Sequence, residues 1–285
     1  MTNRFETYCR RKEEAALAAE IPGYVTVSTH LAGGLAVLGN TWTHAMFDGP
    51  FYRSAGSRVA GAPSTSLVFV QSRNGNTIAP NPSLLGGGAT DLHLIYEGLS
   101  RVDVDAVLAG AATARGREIV FSVWHPELVA LRLARGRSRH PAQIVITDGG
   151  DLQFDEGLMF VEPSLRVFVI TRSGAAKAIE ERVRGRAWIE VLDAGDPVSM
   201  TCAMRALKAR GIDVVSVVGG RRTATALLHE GLVGDVYLTT SPIDAGEPGT
   251  PFCIGPLPEM RLIVEKAGRG GETGVKFEHL VIATH

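Results

Sequence analysis

The sequence predicts an α/β fold with a mostly parallel central sheet flanked by helices. Three observations carry that expectation: apolar β-branched runs recur from residue 67 onward, helix-forming stretches alternate with them, and glycines punctuate the joints. The runs cover 67–71, 106–109, 143–147, 166–171, 187–191, 214–218 and 236–240. Most are continuous rather than alternating, as strands covered by helices on both faces require. Between them, 91–101, 125–135, 174–184 and 197–210 read as helices. The last is the best marked. Asp196 is placed to cap it, Pro197 suits its first turn, Met200, Ala203, Met204 and Leu207 share one face, and Gly211 ends it. At the C-terminal end, 261–267 and 276–283 flank a glycine-rich turn and read as an antiparallel hairpin added to the sheet.

The first 66 residues do not share this alternation. Residues 10–20 suit a charged helix stopped by Pro22-Gly23, while the stretch through Gly33-Gly34 to Trp42, Phe47, Phe51 and Tyr52 has no clear period. Residues 1–66 are therefore expected to form an N-terminal arm packed on a main domain of 67–285, since a separate core of about 60 residues would be marginal. Residues 60–66 read as the linker.

Composition narrows the function. A formal net charge of −1 gives no long-range attraction to nucleic acid or to an anionic membrane, so any phosphate binding must be local. The three cysteines are far apart and odd in number, which suits neither a disulfide framework nor a zinc site and points to a reducing cytoplasm. No His-Glu-x-x-His pattern occurs among the eight histidines, and no metal is expected. The N-terminus has no apolar signal core and no run is long enough to span a membrane.

Chemistry concentrates at the ends of three strands. Val214-Val-Ser-Val-Val runs into Gly219 and Gly220 and then into Arg221, Arg222, Thr223 and Ala224 at the start of a helix. Glycines there permit positive φ and close backbone approach, and the first helical N–H groups are free to meet an anion; the same pattern also serves plain strand-to-helix packing. A second run ends at Gly110, followed by Thr113, Ala114 and Arg115: small residues for a cofactor to lie on, a hydroxyl and a guanidinium for phosphate. The third ends at Thr171-Arg172, where the arginine either meets a 2′-phosphate, favouring NADPH over NADH, or stands as a solvated loop cation. Such ends of one parallel sheet flank a crevice, which suggests a dinucleotide.

The order of these motifs resembles the pyrimidine reductase family of bacterial riboflavin biosynthesis, the RibD C-terminal domain type, over about residues 67–283. The resemblance rests on four segments in order. They are Gln71-Ser-Arg-Asn-Gly-Asn-Thr77, Leu99-Ser-Arg-Val-Asp-Val-Asp-Ala106, Ala109-Gly-Ala-Ala-Thr-Ala-Arg115, and Val217-Val-Gly-Gly-Arg-Arg-Thr followed by Gly231-Leu-Val-Gly-Asp-Val-Tyr-Leu238. It implies a dihydrofolate reductase-like fold, a homodimer, and a small-molecule substrate reduced by NADPH. By the same resemblance Thr113, Thr147 and the helix start at 220–226 contact the cofactor, while Arg101 and the loop holding Ser72, Asn74 and Asn76 face the substrate, Arg101 toward a phosphate.

Two departures stand beside these matches. Val218 occupies the place of the family's substrate-contacting glutamate, and Gly116-Arg-Glu-Ile-Val-Phe-Ser-Val-Trp-His-Pro126 replaces an Ala-Asp-Asp-Pro continuation. In that segment Trp124 and His125 suit either a heteroaromatic ligand or, respectively, the core and a helix start. The expected reaction is reduction of a C=N or C=O bond in a heterocyclic or sugar-linked substrate, with His125, a substrate or cofactor group, or water as proton source; no buried carboxylate stands out. The alternatives are a nucleotide-binding module that has lost turnover, and dihydrofolate reduction itself.

Overall fold

The computed structural model describes residues 3–31 and 33–283; residues 1–2, 32 and 284–285 of the expected arm and main domain lie outside the described residues. The strands are β1 (Tyr24–Thr29), β2 (Leu35–Leu38), β3 (Phe51–Ser54), β4 (Ser64–Gln71), β5 (Ala106–Gly110) and β6 (Ala142–Thr147), then β7 (Val167–Thr171), β8 (Ile189–Asp193), β9 (Val214–Val218), β10 (Asp235–Thr240), β11 (Met260–Gly268) and β12 (Lys276–Ile282). Among the described residues ten of them form one sheet in the order β1-β11-β12-β10-β4-β9-β5-β6-β7-β8, and β2 pairs with β3 apart from it. From β10 to β8 the neighbours are parallel; the β11–β12 hairpin and β1 add antiparallel strands at one end.

Each apolar run from residue 67 onward forms a strand, because β-branched residues fit a pleat buried on both faces. The run expected at 187–191 lies two residues later, at Ile189–Asp193, since the Trp188 indole is held by the Phe160 carbonyl at 3.1 Å in the preceding turn. The helix expected at 197–210 is Met200–Lys208. Its N-terminus is capped by Ser199, which accepts from the Cys202 N–H at 3.2 Å, and by Glu230, which accepts from the N–H groups of Met200 and Thr201 at 2.9 and 2.7 Å. Asp196 does not cap it. Met200, Ala203, Met204 and Leu207 are buried together as the periodicity requires.

The N-terminal stretch is more regular than its pattern suggests. Its first helix is Arg4–Ala18, beginning six residues before the expected 10–20, because Asn3 accepts from the Phe5 N–H at 3.1 Å and caps it. A second helix, Thr41–Phe47, starts with a capping box between Asn40 and Thr43. β1 pairs with β11 and extends the main sheet.

Buried polar groups join this stretch to the sheet. Asp235, fully buried at the start of β10, accepts from His279 Nε2 at 2.7 Å and from the Ser54 N–H and hydroxyl at 3.1 and 2.9 Å. Arg53 pairs with Asp103 at 3.0 Å, and the buried Lys266 donates to Thr26 Oγ1 and the Asp48 carbonyl at 2.6 and 2.9 Å. Phe5, Tyr8, Tyr24, Phe47 and Phe51 complete the apolar core on one face of the sheet, and the helices Met200–Lys208 and Arg221–His229 cover the other.

Asp235→Ala leaves the buried His279 and the half-buried Ser54 N–H and hydroxyl without their acceptor, and an unmade buried bond costs ~1–3 kcal/mol. The expected outcome is a loss of about 3 kcal/mol, read as a lower urea midpoint with the slope of the transition unchanged.

Candidate functional site

The parallel strands end along a common edge at Gln71, Gly110, Thr147, Thr171, Val218 and Thr240. The chain passes from β4 to β5, works outward to β8, and only then returns to insert β9 between β4 and β5. Connections therefore diverge on either side of β9, the situation that opens a crevice at the carboxyl ends of an α/β sheet. A cleft of about 1780 Å³ lies there. Pockets for one small ligand fall within about 300–1,000 Å³, so the cleft has room for a cofactor and a substrate.

One half is built of glycine loops. Gly219 and Gly220 have φ of +68° and +80°, values that favour glycine because a Cβ would be strained there. A Cβ on Gly219 would also stand 3.1 Å from Thr113 Oγ1, and one on Gly220 would lie 3.8 Å from the Gly110 nitrogen, so the loops after β5 and β9 pass close together. Helix Arg221–His229 starts immediately after them with no side-chain cap, leaving its first N–H groups directed at the cleft edge. Gly110, Thr113, Arg115, Thr147, Gly219, Gly220, Arg221, Arg222 and Thr223 all line the cleft. Arg221 donates through Nη1 to the Gly249 carbonyl at 3.2 Å, while its buried Nε has no partner. Arg115 pairs with the exposed Asp151 at 2.9 Å, and Thr147 Oγ1 accepts from the Gly150 N–H at 3.1 Å.

Other expected cofactor residues are not brought to the cleft wall. Ala114 and Ala224 are buried beneath the two loops, and Thr171 is buried away from the cleft with its hydroxyl unpaired. Arg172 precedes helix Ser173–Arg182, donates to the Asp148 carbonyl at 3.0 Å and lies 3.7 Å from Asp196, a carboxylate that draws it aside.

The other half is polar and buried. Arg101 is 2% exposed; its Nη1 donates to the Ser122 carbonyl at 2.8 Å, while Nε and Nη2 have no partner. Its guanidinium is 3.9 Å from the Tyr96 ring centre, a stacked cation held by the ring face. Tyr96 belongs to Asp91–Leu99, a helix wound with hydrogen bonds five residues apart, such as Ser100 N–H to the Ile95 carbonyl at 3.0 Å. The same helix presents Asp91, His93 and Glu97 to the cleft. His93 Nδ1 is 3.1 Å from Glu97 Oε2 with both side chains buried. Burial, reinforced by the neighbouring Glu272, pushes the Asp91 carboxyl up to about 7, and its Oδ1 has no partner.

These residues went unread in the sequence. The helix itself was legible, and the four-residue spacing of His93 and Glu97 was a usable signal; the burial of Asp91 had none. The imidazole in the cleft is His93, not the expected His125. His125 precedes helix Pro126–Ala134 and stacks on Trp42 with ring centres 4.1 Å apart, and its burial lowers its pKa. Trp124 does border the cleft, but Tyr8 meets it edge-on at 5.5 Å and the Arg139 guanidinium is 5.5 Å from its ring centre. Ser72, Asn74 and Asn76 bond to one another and, through Ser72 and Asn76, to the Ala245 carbonyl at 2.9 and 3.1 Å, which closes their loop on itself instead of opening it to the cleft. Tyr8 and Lys12 of the first helix enter the cleft wall unforeseen.

The family model described as the RibD C-terminal domain matches residues 94–273. A pyrimidine reductase-like protein from Corynebacterium diphtheriae superposes with a TM-score of 0.65 at 21% identity, over 78% of this chain and 93% of its own. The riboflavin biosynthesis reductase of Saccharomyces cerevisiae gives 0.54 at 17% identity, over 79% and 92%. A deaminase/5-amino-6-(5-phosphoribosylamino)uracil reductase from Thermotoga maritima gives 0.53 at 18%, over 78% of this chain and 57% of that longer one. At these identities the structural likenesses show the fold. No curated protein matches the sequence. Among the described residues no helix is long and apolar enough to cross a membrane, and no three His, Cys, Asp or Glu side chains group to hold a metal ion.

A buried guanidinium with two unmade donors is a cost to the fold unless a ligand repays it. Arg101→Met is expected to keep the unfolding free energy of the ligand-free protein within ~1 kcal/mol of the parent or to raise it. Millimolar inorganic phosphate is expected to raise the midpoint of the parent and not that of the variant, since only a ligand bound to the native state shifts it.

Proposed function

The chain belongs to the RibD C-terminal domain family, a family of reductases, and on that premise we propose that it is an NADPH-dependent reductase of a C=N or C=O bond in a pyrimidine-type, sugar-linked substrate bearing an anionic group. The observation that carries this reading is the meeting, in one cleft, of a glycine-lined cradle at β5 and β9 with a buried arginine whose donors are free. The cradle fits a dinucleotide: Gly219 leaves the space that a Cβ would fill against Thr113, and the unpartnered Arg221 Nε suits a phosphate oxygen.

When bound, NADPH supplies the hydride. Gly110, Thr113, Gly219 and Gly220 would hold the cofactor along the backbone, and Arg115, Arg221 and Arg222 would neutralise its phosphates. Arg172, which does not line the cleft and donates to the Asp148 carbonyl, is left out of that role. Arg101 positions the anionic end of the substrate, its second face packed by Tyr96. Asp91 is the group suited to hold the proton that reduction consumes: buried, bordering the cleft, and protonated up to about pH 7. His93 and Glu97 form a second, internally satisfied pair beside it.

Val218 is fully buried and offers no polar contact where the family has glutamate, so the substrate is read as differing from the riboflavin precursor at that edge of its ring. The same residue is what favours the second reading, a nucleotide-binding module without turnover. The proposed setting is a cytoplasmic homodimer, for which the edge strand β1, with Val25 and Val27 exposed, offers a pairing surface.

Calorimetry is expected to show NADPH binding with NADH weaker; binding of neither refutes the reading, and binding without oxidation across pyrimidine, pterin and deazaflavin-precursor substrates favours the module. A carboxyl raised to about 7 is a full acid below that pH and loses its proton above it. Turnover is therefore expected to fall as pH rises through 7. Asp91→Asn is expected to cost about 10²-fold in kcat and to abolish that limb while NADPH affinity is kept.

A further inference from the structure

Asp91 faces two ways. It borders the cleft, yet its Oδ1 is buried without a partner. Three further buried oxygens stand unpartnered behind it: the hydroxyls of Tyr24 and Thr239, and Glu272 Oε2. None of these three residues lines the cleft. They come from β1, from β10 and from the short turn Gly270–Glu272 between β11 and β12, and Tyr24 and Thr239 are fully buried.

The segments are tied together at Thr90, the residue before Asp91. Thr90 Oγ1 accepts from the N–H of Gly23, the residue before Tyr24, at 3.2 Å. Glu272 Oε1 accepts from the N–H groups of Ala89 and Thr90 at 2.7 and 3.2 Å. A Cβ on Gly87 would stand 2.8 Å from Asp91 Oδ2 and 2.9 Å from the Val70 side chain, and Val70 pairs with Thr239 in the next strand. On its other side Thr239 pairs with Phe277, whose ring centre is 6.0 Å from that of Tyr24. Thr239 therefore sits between Asp91 and Tyr24.

Burial holds the Tyr24 hydroxyl well above its ordinary pKa, and the charges of Asp91 and Glu272 add to this. It stays neutral, and a neutral hydroxyl both gives and accepts a proton. Glu272 is half-buried with Gly88, Gly271 and Thr273 exposed around it, so the far end of the cluster meets solvent. Four unpartnered oxygens in one buried place are a cost to the fold that calls for a use.

We propose that Asp91, Thr239, Tyr24 and Glu272 form one proton-sharing cluster behind the cleft, in which Asp91 gives the proton out at the cleft and Glu272 takes its replacement in at the hairpin turn. The proposal rests on the reading of Asp91 as the proton donor. As the substrate bond accepts the hydride, Asp91 gives it one proton. The carboxylate left behind takes a proton from the Thr239 and Tyr24 hydroxyls, these recover it from Glu272, and Glu272 from water. One solvent proton is consumed for each hydride. Substrate and cofactor cover the cleft side of Asp91 during reaction, and the route behind it stays open.

The test is an infrared titration of the protonated-carboxyl stretch in the ligand-free full chain. The parent is expected to show a band that titrates at about 7, and Asp91→Asn to lack it. Tyr24→Phe, which keeps the ring, is expected to shift the frequency of that band. Glu272→Gln keeps an acceptor for the Ala89 and Thr90 N–H groups and removes a negative neighbour, so it is expected to lower the midpoint by about one pH unit. In NADPH oxidation with 5-amino-6-(5-phosphoribosylamino)uracil, both variants are expected to lower kcat on the order of tenfold with the substrate KM unchanged. A band unmoved in frequency and midpoint in both variants overturns the proposal, as does the parent's kcat in both. Persistence of the band in Asp91→Asn overturns the reading of Asp91 itself. A parent that does not oxidise NADPH, with the infrared shifts as expected, overturns the reductase reading and keeps the cluster.

Discussion

The structure depends on one topological constraint, the insertion of β9 between β4 and β5. That insertion sets Gly219 and Gly220 beside Gly110 and Thr113, segments more than 100 residues apart in the chain. Parallel strands can lie this close only where the loops leaving them do not collide, and a Cβ 3.1 Å from Thr113 Oγ1 at a positive φ would make them collide. The glycines are therefore required by the fold and useful to a ligand for the same reason: where a side chain is excluded, backbone N–H groups are exposed. A functional reading of such a turn gains force only when other groups converge on it, and here Arg221 and the polar helix Asp91–Leu99 do so from opposite sides.

Legibility in the sequence followed burial. β4 to β10 could be read because strands covered on both faces are continuous apolar runs, a signal that needs no knowledge of partners. The N-terminal stretch could not, because β2 and β3 are four residues long and helix Thr41–Phe47 seven, shorter than any window in which a period emerges. Their positions are fixed by distant groups, Asp235 and Lys266, that nothing near them in sequence announces.

The candidate site divides in the same way. Glycine turns and Arg101 were visible, the first by conformational need and the second by resemblance. Asp91 was not, since an aspartate opening a helix ordinarily reads as a solvated residue near the helix N-terminus. Hydrogen bonds spanning five residues turn this helix so that Asp91 and Tyr96 reach the same side, a departure that α-helical periodicity does not foresee. His125 lies outside the cleft for a complementary reason. An imidazole beside a tryptophan suggests a ligand face, but Trp42, from the stretch with no readable period, already occupies that face.

The same stretch supplies Trp42 to His125, Tyr8 to Trp124 and Lys12 to the cleft rim, so the segment that replaces the family's Ala-Asp-Asp-Pro continuation is packed against residues that precede the family match. The altered segment and the N-terminal stretch thus go together: a loop with new aromatic residues needs a neighbour to bury them, and Tyr8 and Trp42 are that neighbour. Once seated, the N-terminal helix shapes the cleft, because Lys12, one turn along from the buried Tyr8, lies on the same face and borders it. A cleft wall rebuilt by packing in this way leaves the glycine loops after β5 and β9 unchanged, because they depend on the order of those strands and not on the N-terminal helix.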